Sequence, residues 1–273
     1  MKLFLDSAKL EEIKEVKGYG ILDGVTTNPS LIKKAVDALK KDGKKIDMEG
    51  YIKKILKVCG KLPVSLEVVG TSYSEMVAEG KVLHKKFGSL GNVYVKIPVD
   101  PCMENVCKRG ADGIKAIAAL RKLGIKINCT LIFSPEQAML ASKAGANYVS
   151  PFMGREDDYI REVNRVKFEK TDYFPEKGFK KQGKLLSDKG IVSGVDLVEE
   201  CVEILKKSGL KTKVLAASVR NVRQFREAAE AGAHIATVPL SVIRKLLVHE
   251  KTRQGMKKFT KDVVPEYAKL LSR

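Results

Sequence analysis

A single α/β barrel of eight parallel strands, each followed by a helix, is the fold that this 273-residue sequence predicts. Three observations lead to it. Short apolar or β-branched runs alternate with amphipathic stretches of helical length, and the alternation recurs eight times along the chain. A helix that carries the chain back makes the next strand run in the same direction, so repeated βα units imply a parallel sheet. Eight units close into a (β/α)8, or TIM, barrel of about 250 residues, which this length supplies with some left over. The competing doubly wound open sheet lacks its fingerprints. No G-x-G-x-x-G turn follows the first strand and no G-x-x-x-x-G-K-[ST] loop occurs.

In order, KLFL leads into AKLEEIKEV, GILDGV into PSLIKKAVDAL, and PVSLEVV into SEMVAEGKVLHKKF. NVYVKIPV then precedes DGIKAIAALRKLG, and IKINCTLIF precedes PEQAMLASKAG. NYVSPF precedes a long excursion and VDLVEECVEILKKSG, KVLAAS precedes NVRQFREAAEAG, and HIATVPL precedes SVIRKLLVH. Each first member is short and apolar enough for a buried strand, and each second repeats its apolar residues at helical spacing. Gly20, Gly88, Gly124, Gly145, Gly209 and Gly232 fall just before successive strands, where a helix prefers its C′ glycine. Residues 1–273 therefore read as one barrel domain, with an insertion at 156–193 after strand six and a helical tail at 251–273. Two further stretches, around 40–51 and in DPCMENVCKRGAD, lie between these segments.

Charge and composition narrow the function classes. With 51 Lys+Arg against 33 Asp+Glu the formal charge is +18, while 44% hydrophobic and 31% charged residues describe a globular protein rather than a disordered one. The lysines are spread along helix-like segments such as IKKILK and ILKKSG, as on a solvated outer face. Residues 161–190 differ, because Phe168, Tyr173, Phe174 and Phe179 stand among many lysines without a clean period. Such interleaving suits single-stranded nucleic acid. A long loop packing its aromatics on the host domain is the simpler reading, so nucleic acid is not the expected partner. No apolar run approaches the roughly 18 residues of a membrane helix, and Asp6 interrupts the N-terminal apolar stretch. A cytoplasmic location without a membrane partner is expected. Five scattered cysteines without a C-x-x-C pair predict reduced thiols, Cys102 and Cys107 being the nearest two, and His84, His234 and His249 show no ligand spacing, so no metal is expected.

The C-terminal strand ends of such a barrel carry its chemistry, and here they are polar. They offer Asp6, Thr26, Thr27, Asn28, Glu67, Lys96, Asn128, Thr130, Ser150, Ser218, Arg220 and Thr237. Among 51 basic residues Lys96 stands out, since it lies within a strand between Val95 and Ile97. Period-two alternation sends Asn92, Tyr94 and Lys96 to one side and Val93, Val95 and Ile97 to the other, so an apolar face against the helices puts the lysine inside. A buried ammonium is costly, and the neutral amine is a nucleophile that attacks carbonyls to form a Schiff base. Spacing alone equally allows a buried ion pair with Glu67 or Asp6.

FLDSA, GVTTNPSL, VKIP, INCTLIF, YVSPFMGR and LAASVRN, in this order over nearly the whole chain, resemble the motifs of the transaldolase family, in its small branch with fructose-6-phosphate aldolase-like proteins. The resemblance implies a cofactor-free class I barrel that moves a dihydroxyacetone unit between sugar phosphates. The reaction implied takes sedoheptulose 7-phosphate and glyceraldehyde 3-phosphate to erythrose 4-phosphate and fructose 6-phosphate, in the pentose phosphate pathway. It implies Lys96 as the Schiff-base lysine, Asp6 as the acid–base, and Glu67 with Thr130 as holders of a water. Thr27, Asn28, Asn128, Ser150 and Phe152 match substrate-contacting positions, and Arg155, Ser218 and Arg220 match the phosphate site. Asp6 is also placed to cap the helix after Ser7, and Asn28 before Pro29 to serve as a turn or cap residue. Aldolase-like members carry Gln at the position of Glu67 and Tyr at that of Phe152, so this pair favours transfer over release of free dihydroxyacetone. Small-branch relatives form pentameric rings that pair into decamers partly through exchanged C-terminal helices, which implies a homo-oligomer here.

Overall fold

A computed structural model describes residues 1–41, 43, 47–104 and 107–272. The strands in chain order are β1 (Lys2–Asp6), β2 (Gly24–Thr26), β3 (Pro63–Glu67), β4 (Asn92–Pro98), β5 (Ile127–Ile132), β6 (Tyr148–Pro151), β7 (Lys180–Lys181), β8 (Lys184–Leu185), β9 (Lys213–Ala216) and β10 (Ile235–Val238). Eight of them close a barrel in the order β1-β10-β9-β6-β5-β4-β3-β2, with every neighbouring pair parallel. The closed α/β barrel that the βα rhythm predicts is therefore the observed fold, and each of its strands comes from one of the eight runs.

The alternation of side chains sorts the core into two compartments. Val93, Val95 and Ile97 of β4 face outward into the main apolar cluster between strands and helices. Facing inward, Phe4, Tyr148, Leu215, Ala217 and Ile235 form a second cluster that Tyr94 and Phe152 join. Tyr94 stacks on Tyr148 with ring centroids 4.4 Å apart, and Phe4 meets Tyr148 edge-on at 6.2 Å. Gly24 is needed beside this layer, because a Cβ there would fall 2.5 Å from the Phe4 ring. Above the aromatic floor the inward positions turn polar.

Helices α1 (Leu10–Gly18), α2 (Pro29–Lys41), α4 (Tyr73–Phe87), α5 (Asp112–Lys122), α6 (Pro135–Lys143), α8 (Gly194–Lys207), α9 (Val222–Glu230) and α10 (Leu240–Leu246) follow the strands as predicted. Local signals start several of them. Ser72 and Glu75 form a capping box on α4, Ser134 caps α6 ahead of Pro135, and Asn221 caps α9. Gly20, Gly124, Gly145, Gly209 and Gly232 take positive φ at helix ends, whereas Gly88 ends α4 at φ −61°. Part of the long region at 40–51 resolves into α3 (Met48–Cys59), capped by Asp47; its residues 42 and 44–46, like 105 and 106 of the DPCMENVCKRGAD stretch, lie outside the described residues. The thiols depart from expectation, since Cys102 and Cys107 are joined by a disulfide. The loop after β4 brings their Cα atoms to 6.2 Å, within the span a disulfide requires. Cys59, Cys129 and Cys201 are buried and free.

The excursion begins differently from its sequence reading. Helix α7 (Met153–Val163) continues directly from β6, so the irregular part starts at Asn164. It contains the small antiparallel hairpin β7–β8. The Arg161 guanidinium lies over Phe168 and Phe174, 5.0 and 4.8 Å from their centroids, and donates to the Asp172 and Tyr173 carbonyls. Phe174 packs with Ile160 and Leu186, and Tyr173 donates to Glu227 beneath Arg223. These aromatics are spent on the host barrel; Phe179 is exposed. At the C-terminus α11 (Glu250–Lys261) and α12 (Pro265–Leu271) bury no residue.

Where α7 meets α8, the backbones approach so closely that a Cβ on Gly194 would lie 2.0 Å from the Met153 carbonyl oxygen. Gly194→Ala forces the two helices apart. A loss of roughly 1–3 kcal/mol, read as a lowered denaturant midpoint with unchanged slope, is expected.

Candidate active site

Lys96 reaches the interior from the middle of β4 and is 4% exposed. Its Nζ lies 2.9 Å from Glu67 Oε2 and donates to the Thr27 carbonyl at 3.3 Å. Register explains the first contact, because Glu67 is the β3 partner of Lys96. The approach to Oε2 is ionic rather than an aligned hydrogen bond, which leaves that oxygen without a hydrogen-bond partner. The Thr130 hydroxyl on β5 is likewise buried and unpartnered. A buried polar atom in this condition calls for a further partner, and both lie at inward positions, on β3 and β5. The Phe152 ring borders the amine, its centroid 5.8 Å from Nζ.

Asp6 closes the opposite side of the cup. Thr26, its register partner on β2, donates to Asp6 Oδ1 at 2.7 Å, and Thr237 on β10 lies 2.6 Å from the same Thr26 hydroxyl. Burial pushes the Asp6 carboxyl above the ordinary carboxylate range, opposed by the Thr26 hydrogen bond and by the charges of Lys96, Arg155 and Lys34. The cap of α1 is Lys9, without a side-chain hydrogen bond, so Asp6 is not spent on capping. Between these two sides runs a chain of neutral groups in which Ser150 donates to Asn128 Oδ1 at 2.7 Å and Asn128 donates to Ser65 at 3.1 Å. Asn28 keeps its Oδ1 on the Leu31 amide, so the capping reading holds for that oxygen while the residue still lines the cavity.

One cavity at the mouth collects Asp6, Thr26, Asn28, Lys96, Ser150, Phe152, Arg155, Ser218 and Thr237. Thr27 is not brought into it: its hydroxyl donates to the Ser65 carbonyl, and only its own carbonyl meets Lys96. Thr26 occupies the inward position instead. Period-two alternation opposite Asp6 was the signal that distinguishes the two threonines, and Ser65 and Thr237 carry the same inward phase. Arg155 begins the rim, its guanidinium 5.1 Å from the Phe152 centroid. Ser218 stands beside it at φ 61°, a left-handed backbone that is uncommon for serine. Arg220 is held away by a two-pronged contact with Asp158 and a hydrogen bond to the Lys170 carbonyl in the excursion. Among the described residues no group of three or more His, Cys, Asp or Glu is arranged to hold a metal ion.

Behind Arg155, the Glu156 carboxyl is fully buried with neither oxygen hydrogen-bonded. Burial first, and then the neighbouring Asp188 and Asp157, raise it from its ordinary 4.5 to about 7. The folded state thus favours the protonated acid, and the stability this confers is complete below about pH 4.5 and lost as pH rises through 7. Glu156→Gln removes that penalty. The variant should melt higher than the parent at pH 8, by up to roughly 3 kcal/mol, and alike at pH 4.5; an equal difference at both pH values contradicts the assignment.

The profile of the family described as Transaldolase/Fructose-6-phosphate aldolase matches residues 3–271. A protein named "Probable transaldolase" from Bacteroides thetaiotaomicron is 41% identical over 262 residues, covering 96% of this chain and 97% of its own. Proteins of the same name from Nitrosopumilus maritimus and Chlorobium phaeobacteroides are 41% and 40% identical, each covering 96% of this chain and 94% and 96% of their own.

Proposed function

The chain belongs to the transaldolase/fructose-6-phosphate aldolase family, and from that premise we propose that it transfers a dihydroxyacetone unit between sugar phosphates through a Schiff base on Lys96. The observation that carries this reading is a lysine buried in the barrel interior, in contact with Glu67 and sharing one cavity with Asp6. Glu67 is within reach to accept the ammonium proton, leaving an amine that attacks the C2 carbonyl of a ketose phosphate. The carbinolamine loses water to give an iminium. Asp6 takes the C4 hydroxyl proton, the C3–C4 electrons move into the iminium, and an aldehyde phosphate departs from the remaining enamine. Reversal with a second aldehyde returns the proton and hydrolyses the product from the lysine. A water between Glu67 Oε2 and the Thr130 hydroxyl, both lacking a hydrogen-bond partner, suits the hydration steps.

Ser150 and Asn28 line the cavity and offer short polar groups to the dihydroxyacetone hydroxyls, with Asn128 behind Ser150 accepting its hydrogen bond. Arg155 and Ser218 at the rim suit the phosphate, and Arg220 joins them only by releasing Asp158. Glu67 and Phe152 favour transfer to an acceptor over release of free dihydroxyacetone. The proposed donor and acceptor are sedoheptulose 7-phosphate and glyceraldehyde 3-phosphate, which places the reaction in the pentose phosphate pathway of the cytoplasm; no helix among the described residues is long and apolar enough to cross a membrane.

The tail supports a homo-oligomer, pentameric or decameric. Met256, Phe259, Tyr267, Leu270 and Leu271 are 54–76% exposed on α11 and α12, an apolar surface for another copy of the chain to cover.

Borohydride added with fructose 6-phosphate should fix a three-carbon adduct on Lys96, and Lys96→Ala should lose both adduct and transfer, the latter by more than about 10³-fold. A normal rate in that variant, or release of free dihydroxyacetone as fast as exchange, sinks the reading. Removing residues 249–273 should reduce the number of copies per particle, read from light scattering after size exclusion, and an unchanged number counts against assembly through the tail.

A further inference from the structure

Two threonine hydroxyls meet inside the barrel on either side of β1, and their proton count fixes a direction. Thr26 Oγ lies 2.7 Å from Asp6 Oδ1 and 2.6 Å from Thr237 Oγ, and Thr26 and Thr237 are 2% and 4% exposed. A hydroxyl has one proton to donate, and an ionised carboxylate accepts only. If Thr26 gave its proton to Thr237, its lone pairs would face Asp6 Oδ1 across 2.7 Å in a low-dielectric interior. The favourable order is therefore Thr237 to Thr26 to Asp6. In that order each bond polarises the next.

We infer that Thr237 is a positioning residue for Asp6, its hydroxyl donating to Thr26 so that the Thr26 proton stays committed to the Asp6 carboxylate. Thr237 does this from β10, while Thr26 sits on β2, so the pair holds Asp6 from both neighbours of its own strand. Among the described residues no protein hydrogen bond takes Asp6 Oδ2, which is left for the substrate hydroxyl. When the substrate hydroxyl has given its proton to Oδ2, Oδ1 still accepts from Thr26, so the order of donors is unchanged while the hydrogen bond to the neutral acid is weaker than to the carboxylate. The charged groups that act on Asp6 are Lys96 on β4, Arg155 on α7 and Lys34 on α2, and all three favour its ionised form. Glu67 is occupied with Lys96. Thr26 supplies the hydrogen bond to Asp6, and Thr237 strengthens it by donating to Thr26.

This inference rests on the proposed role of Asp6 and is tested by pH profiles rather than by rate alone. In Thr237→Val the acid limb of kcat/KM for transfer should move up by about half a pH unit to one unit, because one hydrogen bond to the ionised state is weakened. Transfer should fall roughly three- to tenfold on the acid side of the profile and less at high pH. Thr237→Ser should restore the parental limb. Borohydride trapping with dihydroxyacetone should persist in both, since imine formation uses Lys96, and Thr237→Ala serves in place of the valine variant if that one does not trap. A uniform loss at all pH values with an unmoved limb, or a serine variant that behaves like valine, overturns the inference. Asp6→Asn separates the premise: it should trap the adduct yet fail to transfer, and transfer at the parental rate in this variant removes the role of Asp6 and the inference with it.

Discussion

The rest of the site depends on keeping one ammonium out of water. Lys96 is placed inside by strand alternation alone, with Val95 and Ile97 on either side committed to the apolar layer beneath the helices. A group of this kind is tolerated only where a counter-charge and polar neighbours are already fixed. Register supplies Glu67 directly across β3, and the turn after β2 brings the Thr27 carbonyl. Closure of the sheet supplies the remainder, since an open sheet has no common interior in which Asp6 on β1 and Lys96 on β4 face one cavity.

Polar and apolar positions are divided by height along the barrel. Aromatic rings fill the lower layer, where Tyr94 precedes Lys96 by two residues and Tyr148 precedes Ser150 by two. Above them nearly every strand contributes a hydroxyl, amide or carboxylate. The rim is governed by other contacts. The excursion is clamped by the Arg161 guanidinium between two rings and by Tyr173 on Glu227, and through its Lys170 carbonyl it also holds Arg220. Packing of the insertion and placement of a rim cation are thus the same set of interactions.

Strand alternation and order were legible in the sequence because each is a local property: period two, a run length, a glycine at a helix end. Lys96 was legible for the same reason, as a cation out of phase with its helical counterparts. Thr26 was harder to separate from Thr27, since adjacent threonines differ only in which way the strand points them. Helix α7 was hidden because the insertion reads from residue 156, although Glu156 and Asp157 are buried on that helix. Asp157 is there because the Gly194 amide and Gln224 satisfy it, partners far along the chain that no local pattern announces. The Cys102–Cys107 link was concealed similarly, because a spacing of five fits several loop shapes and only the folded loop brings the two Cα atoms together.

The stacked tyrosines and Phe4 beneath the polar cup have a kinetic consequence. A barrel with a floor has one doorway, so whatever enters past Arg155 leaves past Arg155. For the proposed transfer, the first aldehyde must vacate the passage before the second can approach the enamine, and the two never share the chamber. In the proposed transfer, the same plug that stabilises the closed sheet thus also sets a double-displacement order.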